Sequence, residues 1–265
     1  MDSKKLLPKF AASDLDGTLY RNEKISAEDL NAINTWRANG NVFGLVTGRP
    51  FVMLEPILKT FGLEVDFAIC DNGAIIHDGD GKIIFETELS TKILMDIMNE
   101  PTALKSYHFA LEASDEFFCV ILSQKSWVLT EKARWNFPLT IIDVEQVPTL
   151  NKKINQIALG FDTVDEAQDI VDVLNEKFGD KIFAQRNYAG VDIVTAGINK
   201  SLGIEKMLEL KNWRDTQVFV IGDEANDLPM IKKFGGYTVI TAKDFVKREA
   251  KAVFDSVGDM LNCNL

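Results

Sequence analysis

The sequence predicts an α/β domain built on a parallel sheet and interrupted by an α+β insert. Two observations carry that reading. Toward both ends of the chain, short and nearly continuous apolar runs alternate with helix signals, as in βα units whose strands are covered on both faces. Between about Glu86 and Arg186 several apolar runs instead alternate with polar residues or are joined by short turns, as in an antiparallel sheet with helices on one face.

Phe10 to Ser13 is a short apolar run that ends in acid and reads as the first strand. Ser26 opens a helix as its N-cap, with Glu28 and Asp29 in the first turn and Gly40 just past its end. Val42 to Val46 is the second strand, followed by a helix from about Pro50 to Phe61 that Gly62 closes, and by the strand Phe67 to Cys70. In the middle segment the strand candidates are His108 to Ala113, Phe117 to Leu122, Ile154 to Phe161 and Lys181 to Gln185. Helices are expected there at about Thr91 to Asn99 and Val164 to Phe178. The βα rhythm then returns with a helix beginning near Lys200, the strand Val218 to Ile221, a helix from Ala225 to Phe234 and the strand Tyr237 to Ile240.

Composition narrows the function classes. At roughly 150 residues per domain, 265 residues make one large domain or two modest ones, enough for a core without disulfides. With 46% hydrophobic and 26% charged residues the chain reads as an ordinary soluble globular protein. Its net charge is −11 and no run of Lys or Arg exceeds a pair, so nucleic-acid and membrane-surface partners are not expected. Cys70, Cys119 and Cys263 share no close spacing, which suits a reducing, cytoplasmic setting. Lys4 and Lys5 read as solvated surface, and Pro8, Lys9 and Asp14 cut the apolar stretch around them too short for a secretory signal.

The strongest chemical signal is Asp14-Leu15-Asp16-Gly17-Thr18-Leu19, directly after the first strand. Ligands of open α/β sheets bind at the carboxyl ends of strands, and residues i and i+2 leaving a strand point to the same side, so both carboxylates can converge on one site. Gly17 lets the backbone turn away sharply. A hard divalent ion such as Mg²⁺ suits the pair, because it takes carboxylate and carbonyl oxygens and can also hold a phosphate oxygen. The plainer alternatives are a solvated turn or a calcium loop, and the spaced oxygen ligands of an EF-hand loop are missing after Asp16.

Three further stretches stand at strand ends or helix starts. In Val46-Thr47-Gly48-Arg49 a hydroxyl, an exposed N–H and the positive end of the following helix make a small anion cradle, or else an ordinary cap. Gly222-Asp223-Glu224-Ala225-Asn226-Asp227 offers a carboxylate at a strand end, a second one four residues on and an amide, of which an N-cap alone would explain only one. Lys200, in Gly197-Ile198-Asn199-Lys200-Ser201-Leu202-Gly203, is a lysine at a helix start that gains interest only from the company it keeps. His77 and His108 are read as strand residues without catalytic duty, Arg49 as a substrate ligand or the partner of a carboxylate, and the four tryptophans as packing residues.

This order of chemistry, carboxylate pair, hydroxyl and glycine, lysine, acidic cluster, resembles the haloacid dehalogenase superfamily of phosphohydrolases. Asp71-Asn72-Gly73-Ala74, the glycines that flank Lys200 and the position of the insert are similar to its Cof-type branch, subclass IIB, with a C2 cap. The resemblance implies a Rossmann-like core at residues 1–85 and 187–265 with a cap at 86–186. It further implies that Asp14 attacks phosphorus, that Asp16 is the acid and base, and that Thr47, Gly48, Lys200 and Asn226 hold the phosphoryl oxygens. Asn72 and Arg49 are expected on the substrate. Mg²⁺ is expected on the Asp14 carboxylate, the Asp16 backbone carbonyl and Asp223, with Asp227 supporting the site. Thr241-Ala242 stands where the branch commonly has Asn-Ala, and Ser256-Val257-Gly258-Asp259 replaces a second segment. Neither departure touches the catalytic set.

The expected activity is Mg²⁺-dependent hydrolysis of a small phosphate monoester, such as a sugar phosphate, by a monomer or small homo-oligomer. A sugar phosphomutase sharing the same intermediate and a non-catalytic metal- or phosphate-binding regulatory module are the alternatives. The second carboxylate, Asp16, speaks against a pure binder.

Overall fold

The protein is described from a computed structural model, which covers residues 7–265; the pair Lys4-Lys5 and most of the apolar stretch beside it lie outside the described residues. The chain begins with β1 (Phe10–Ser13), α1 (Ala27–Ala38), β2 (Val42–Val46), α2 (Phe51–Phe61) and β3 (Phe67–Cys70), followed by a hairpin of β4 (Ile75–Asp78) and β5 (Ile83–Glu86). The insert contains α3 (Thr91–Met98), β6 (His108–Glu112), β7 (Phe117–Leu122), α4 (Trp127–Trp135), β8 (Leu139–Ile141), β9 (Gln156–Gly160), α5 (Val164–Phe178), β10 (Ile182–Asn187) and β11 (Gly190–Thr195). The chain returns through α6 (Lys200–Leu210), β12 (Val218–Gly222), α7 (Leu228–Phe234), β13 (Tyr237–Val239), α8 (Asp244–Glu249), β14 (Val253–Phe254) and α9 (Val257–Asn264).

Eight strands form the first sheet in the order β14-β13-β12-β1-β2-β3-β4-β5. Its pairings are parallel from β14 to β3, and the β4–β5 hairpin is antiparallel. β1 lies between β2 and β12, so the order reverses beside it and opens a crevice at the carboxyl ends of these strands. Every residue of β1, β2 and β3 is buried, which is what their unbroken apolar composition requires. The α1 cap behaves as expected: the Ser26 side chain accepts from the Asp29 backbone N–H, and Gly62 closes α2 with a φ of 60°.

The second sheet has the order β10-β11-β9-β6-β7-β8. Phe109, Leu111, Ile157, Leu159, Val191 and Ile193 share one of its faces and pack against α3 and α5 in a core of their own. The opposite face carries Ala110, Phe117, Cys119 and Ala158, which meet Met53 of α2. This face turns toward the first sheet.

The expected return to the core at residue 187 is corrected. β10 and β11 pair from Ile182↔Thr195 to Asn187↔Gly190, so the second sheet runs to Thr195. The two-residue reversal Tyr188-Ala189 lacks the Asn-Gly or leading-Gly signal of a tight hairpin, with Tyr188 itself at a φ of 55°. Helix α4, the β4–β5 hairpin and the elements after β13 were likewise not anticipated.

Candidate active site

β1 ends at Ser13, and Asp14 continues it by donating its N–H to the Ile221 carbonyl at 2.9 Å. That bond fixes Asp14 beside the end of β12, where Asp223 and Asp227 stand. Carboxylate oxygens of Asp14, Asp223 and Asp227 all lie within 4.8 Å of one another. Lys200 Nζ reaches Asp14 Oδ1 at 2.7 Å and Asp227 Oδ1 at 2.6 Å, and its side chain is 1% exposed. Asp227 Oδ2 accepts from the backbone N–H groups of Asp223 and Glu224 at 2.8 and 3.0 Å, so its carboxylate is committed to holding the loop and the lysine. Asp223 Oδ1 accepts from the Thr18 hydroxyl at 2.6 Å. Burial first, then Asp227, pushes the Asp14 carboxyl well above the usual range, against the pull of Lys200; burial also pushes Asp223 up to about 6. Three carboxylates and one lysine leave an excess of negative charge that a cation would relieve.

Two glycines make this convergence possible. Gly17 has a φ of 82°, and a Cβ there would lie 2.4 Å from Asp223 Oδ2. A Cβ at Gly203 would lie 2.6 Å from the Ile69 side chain and 3.0 Å from Gly73 Cα, so only glycine lets α6 come close enough to present Lys200.

The Asp16 carboxylate is not part of the acidic cluster. Arg49 holds it in a fork, with Nε to Oδ2 at 2.6 Å and Nη2 to Oδ1 at 2.8 Å, while Nη1 reaches Glu131 of α4 at 2.5 Å. Of the two roles expected of Arg49, the structure shows the carboxylate partner: its guanidinium is taken up by two carboxylates, one from each sheet's domain, while it also lines the cavity between the sheets. Asn72 likewise meets protein groups with its side-chain amide. It is fully buried with a φ of 53°, donates to Gln156 Oε1 and Asp192 Oδ2 at 2.8 and 2.9 Å, and accepts from Asn226 Nδ2 at 3.1 Å. It fastens the two domains beneath the cavity instead of facing it.

A cavity of about 210 Å³ opens above this cluster, between the sheets. Asp14, Asp16, Thr47, Gly48, Arg49 and Asn226 form its floor. The insert contributes Glu112, Gln156, Asp192 and Trp127, none of which was singled out for a site from the sequence. Trp127, expected to pack, is 40% exposed and walls the cavity. A usable signal existed: Glu112, Gln156 and Asp192 are polar residues inside apolar strand runs, and they fall on the face that Ala110 and Ala158 share. His77 and His108 lie off this wall; burial holds both below their ordinary value, His108 at about 4.

Residues 11–259 match the family of haloacid dehalogenase-like hydrolases. The chain belongs to that family, and it is an enzyme of the phosphatase type. It is 27% identical to the 5-amino-6-(5-phospho-D-ribitylamino)uracil phosphatase YcsE of Bacillus subtilis, over 94% of this chain and 90% of that protein. It is 26% identical to the pyridoxal phosphate phosphatase YbhA of Escherichia coli, over 94% of this chain and 92% of that one. A haloacid dehalogenase-like hydrolase from B. subtilis of known structure superposes with a TM-score of 0.85, covering 97% of this chain and all of that one at 17% identity, which shows the shared fold.

Proposed function

We propose that the protein hydrolyses a small phosphate monoester in a Mg²⁺-dependent reaction through an aspartyl-phosphate on Asp14. The observation that carries this reading is the convergence of Asp223, Asp227 and Lys200 on Asp14, which with Asp16 lines the floor of the cavity. The donor set fits Mg²⁺: hard carboxylate oxygens, closely grouped, with a surplus of negative charge. Asp14 and Asp223 would hold the ion with the Asp16 backbone carbonyl, and Asp227 would steady Asp223 and Lys200. Bound there, Mg²⁺ supplies the charge that lets a carboxylate approach a phosphate dianion.

The residues divide the work. An Asp14 oxygen forms a bond to phosphorus as the ester P–O bond breaks, and Asp16 gives its proton to the departing alkoxide. Asp16 then takes a proton from water, whose oxygen attacks phosphorus. The P–O bond to Asp14 breaks, phosphate leaves and both carboxyls return to their starting states. Thr47, Gly48, Lys200 and Asn226 hold the phosphoryl oxygens, where positioning and charge stabilisation supply most of the rate. Both Asp16 oxygens accept from Arg49, so the acid step requires one of them to leave the fork and carry the proton. The relatives' names support a phosphorylated small metabolite as substrate, since YcsE and YbhA act on a ribitylaminouracil phosphate and on pyridoxal phosphate.

The test is release of inorganic phosphate from a panel of esters with Mg²⁺ and with chelator, for the wild type and for Asp14→Asn and Asp16→Asn. Turnover should require the metal, and it should vanish in the first variant. No turnover of any ester by the wild type would overturn the phosphatase assignment, retained turnover in Asp14→Asn would overturn the nucleophile, and isomerisation without phosphate release would favour a mutase.

A further inference from the structure

The alcohol half of the substrate has one direction open to it. With the phosphoryl group against Asp14, Thr47 and Gly48, the rest of the ester must project toward the insert. There the wall is Glu112, Gln156, Asp192, Trp127 and Ala158, with Met53 of α2 beside them. Glu112 and Gln156 are cross-strand partners on β6 and β9, and Asp192 on β11 is opposite Ala158. The small Ala158 leaves the room that the larger polar residues frame.

The bonding of these groups defines what they can still accept. Gln156 is spent: Nε2 donates to the Gly48 carbonyl at 2.9 Å and to Glu112 Oε2 at 2.8 Å, while its Oε1 accepts from Asn72. Glu112 Oε1 makes no hydrogen bond among the described residues, and Asp192, which accepts from Asn72 and lies beside the Asn187 amide, lines the same cavity. Among the described residues, five carboxylates line the cavity, Asp14, Asp16, Glu112, Asp192 and Glu224, against one cation, Arg49. That cation is already shared by Asp16 and Glu131.

A further buried carboxyl shows how poorly this end of the cavity tolerates negative charge. Asp71 is fully buried, and neither of its oxygens has a hydrogen-bond partner. Burial holds the Asp71 carboxyl well above its usual range, and burial together with Asp71 and Asp192 does the same to Glu112. A second anion entering this end of the cavity would add charge where burial already keeps neighbouring carboxyls from all ionising, with no free cation among the lining residues to offset it. Hydroxyl or amino hydrogens would meet acceptors.

Resting on the phosphatase reading, we propose that Glu112 and Asp192 select a leaving group rich in hydroxyl or amino donors and exclude one that carries a second phosphate or a carboxylate. Trp127 offers such a leaving group an apolar face. The cavity is thus bipolar, with the phosphoryl end served by Lys200 and the metal ligands and the alcohol end served by acceptors.

The experiment compares kcat/KM for two esters that differ at one carbon, sorbitol 6-phosphate with a terminal hydroxymethyl and 6-phosphogluconate with a carboxylate. The wild type should prefer the polyol ester by about 100-fold, the size of a like-charge juxtaposition in a water-poor site. Glu112→Gln and, separately, Asp192→Asn should each shrink that ratio at least about fivefold, which a merely structural role would not do. A wild-type ratio near one, or a preference for the carboxylate ester, overturns the proposal while leaving the phosphatase reading intact. An unchanged ratio in both folded variants removes the assignment to these two residues. If one variant fails to fold, the other and the wild-type ratio still decide. Failure to hydrolyse any ester on the wider panel refutes the underlying reading and this proposal with it.

Discussion

Replacing Lys200 with methionine tests the electrostatic centre of the site. The substitution keeps the length of the buried stem and removes the charge that bridges Asp14 at 2.7 Å and Asp227 at 2.6 Å. At an effective dielectric of about 20, each contact carries roughly 6 kcal/mol of attraction, against a desolvation penalty of several kcal/mol per ion. The net effect of removing one partner from a buried pair is a loss of about 3–5 kcal/mol, because the carboxylates stay behind uncompensated. That loss should appear as a lower urea midpoint for Lys200→Met at neutral pH in chelator. Asp14 already stands well above its ordinary value with the lysine present, so without it the folded state holds its proton still more tightly. A carboxyl raised in the folded state destabilises when ionised, so the deficit should shrink as pH falls through that raised value toward about 4. Mg²⁺ should offset part of the deficit, by binding the folded state. Turnover should fall by about 10²–10³, the usual cost of one donor to the transferring group. A variant within about 1 kcal/mol of wild type in chelator would refute the electrostatic account. Turnover within about tenfold would refute the role on the phosphoryl oxygens.

Three other substitutions probe separate parts of the structure. Thr18→Val removes the hydroxyl that holds Asp223 Oδ1 at 2.6 Å, and calorimetric titration should show Mg²⁺ affinity weakened about 10–100-fold. Glu131→Ala releases Arg49 from the insert while leaving its fork on Asp16, so amide hydrogen exchange in α4 should quicken and global stability should fall by about 1 kcal/mol. Unchanged exchange would show that this ion pair does not hold the domains together. His108 sits at about 4 in the folded protein because burial disfavours its charge, against an ordinary value of 6.5. Its neutral form therefore contributes stability at pH above 6.5 that is lost as pH falls toward 4, on the order of 3 kcal/mol in total. In His108→Gln, urea melts across that window should lose less stability than the wild type, and a parallel decline would refute the assignment.

How much of this was legible in the sequence follows from where each contact comes from. The floor of the cavity was readable because its parts are local. Asp14 and Asp16 leave one strand together, Thr47 and Gly48 end the next, and Asn226 shares one turn with Asp223 and Asp227 of the cluster beneath, each with glycines or apolar runs marking the element beside it. The wall was not readable, because its meaning depends on register between strands far apart in the chain. Gln156 becomes a site residue only because β9 pairs with β6 and so faces Asn72, 84 positions away, and Asp192 meets Asn72 across 120. The same distance hid the role of Arg49, whose two partners are 33 and 82 positions removed.

Arg49 and Asn72 lie beside phosphate-binding elements, yet both spend their donors on carboxylates and amides brought in by the insert. In an acidic chain of net charge −11, a buried cation or amide is drawn first to the surplus of carboxylates. Those contacts all cross between the sheets: Arg49 to Glu131, Asn72 to Asp192 and Gln156, and Gln156 to the Gly48 carbonyl. The groups that position the catalytic floor are therefore the groups that fix the insert over it. Displacing the insert would break the Gly48 and Asn72 bonds together, so closure of the cavity and alignment of its floor are linked through the same few hydrogen bonds.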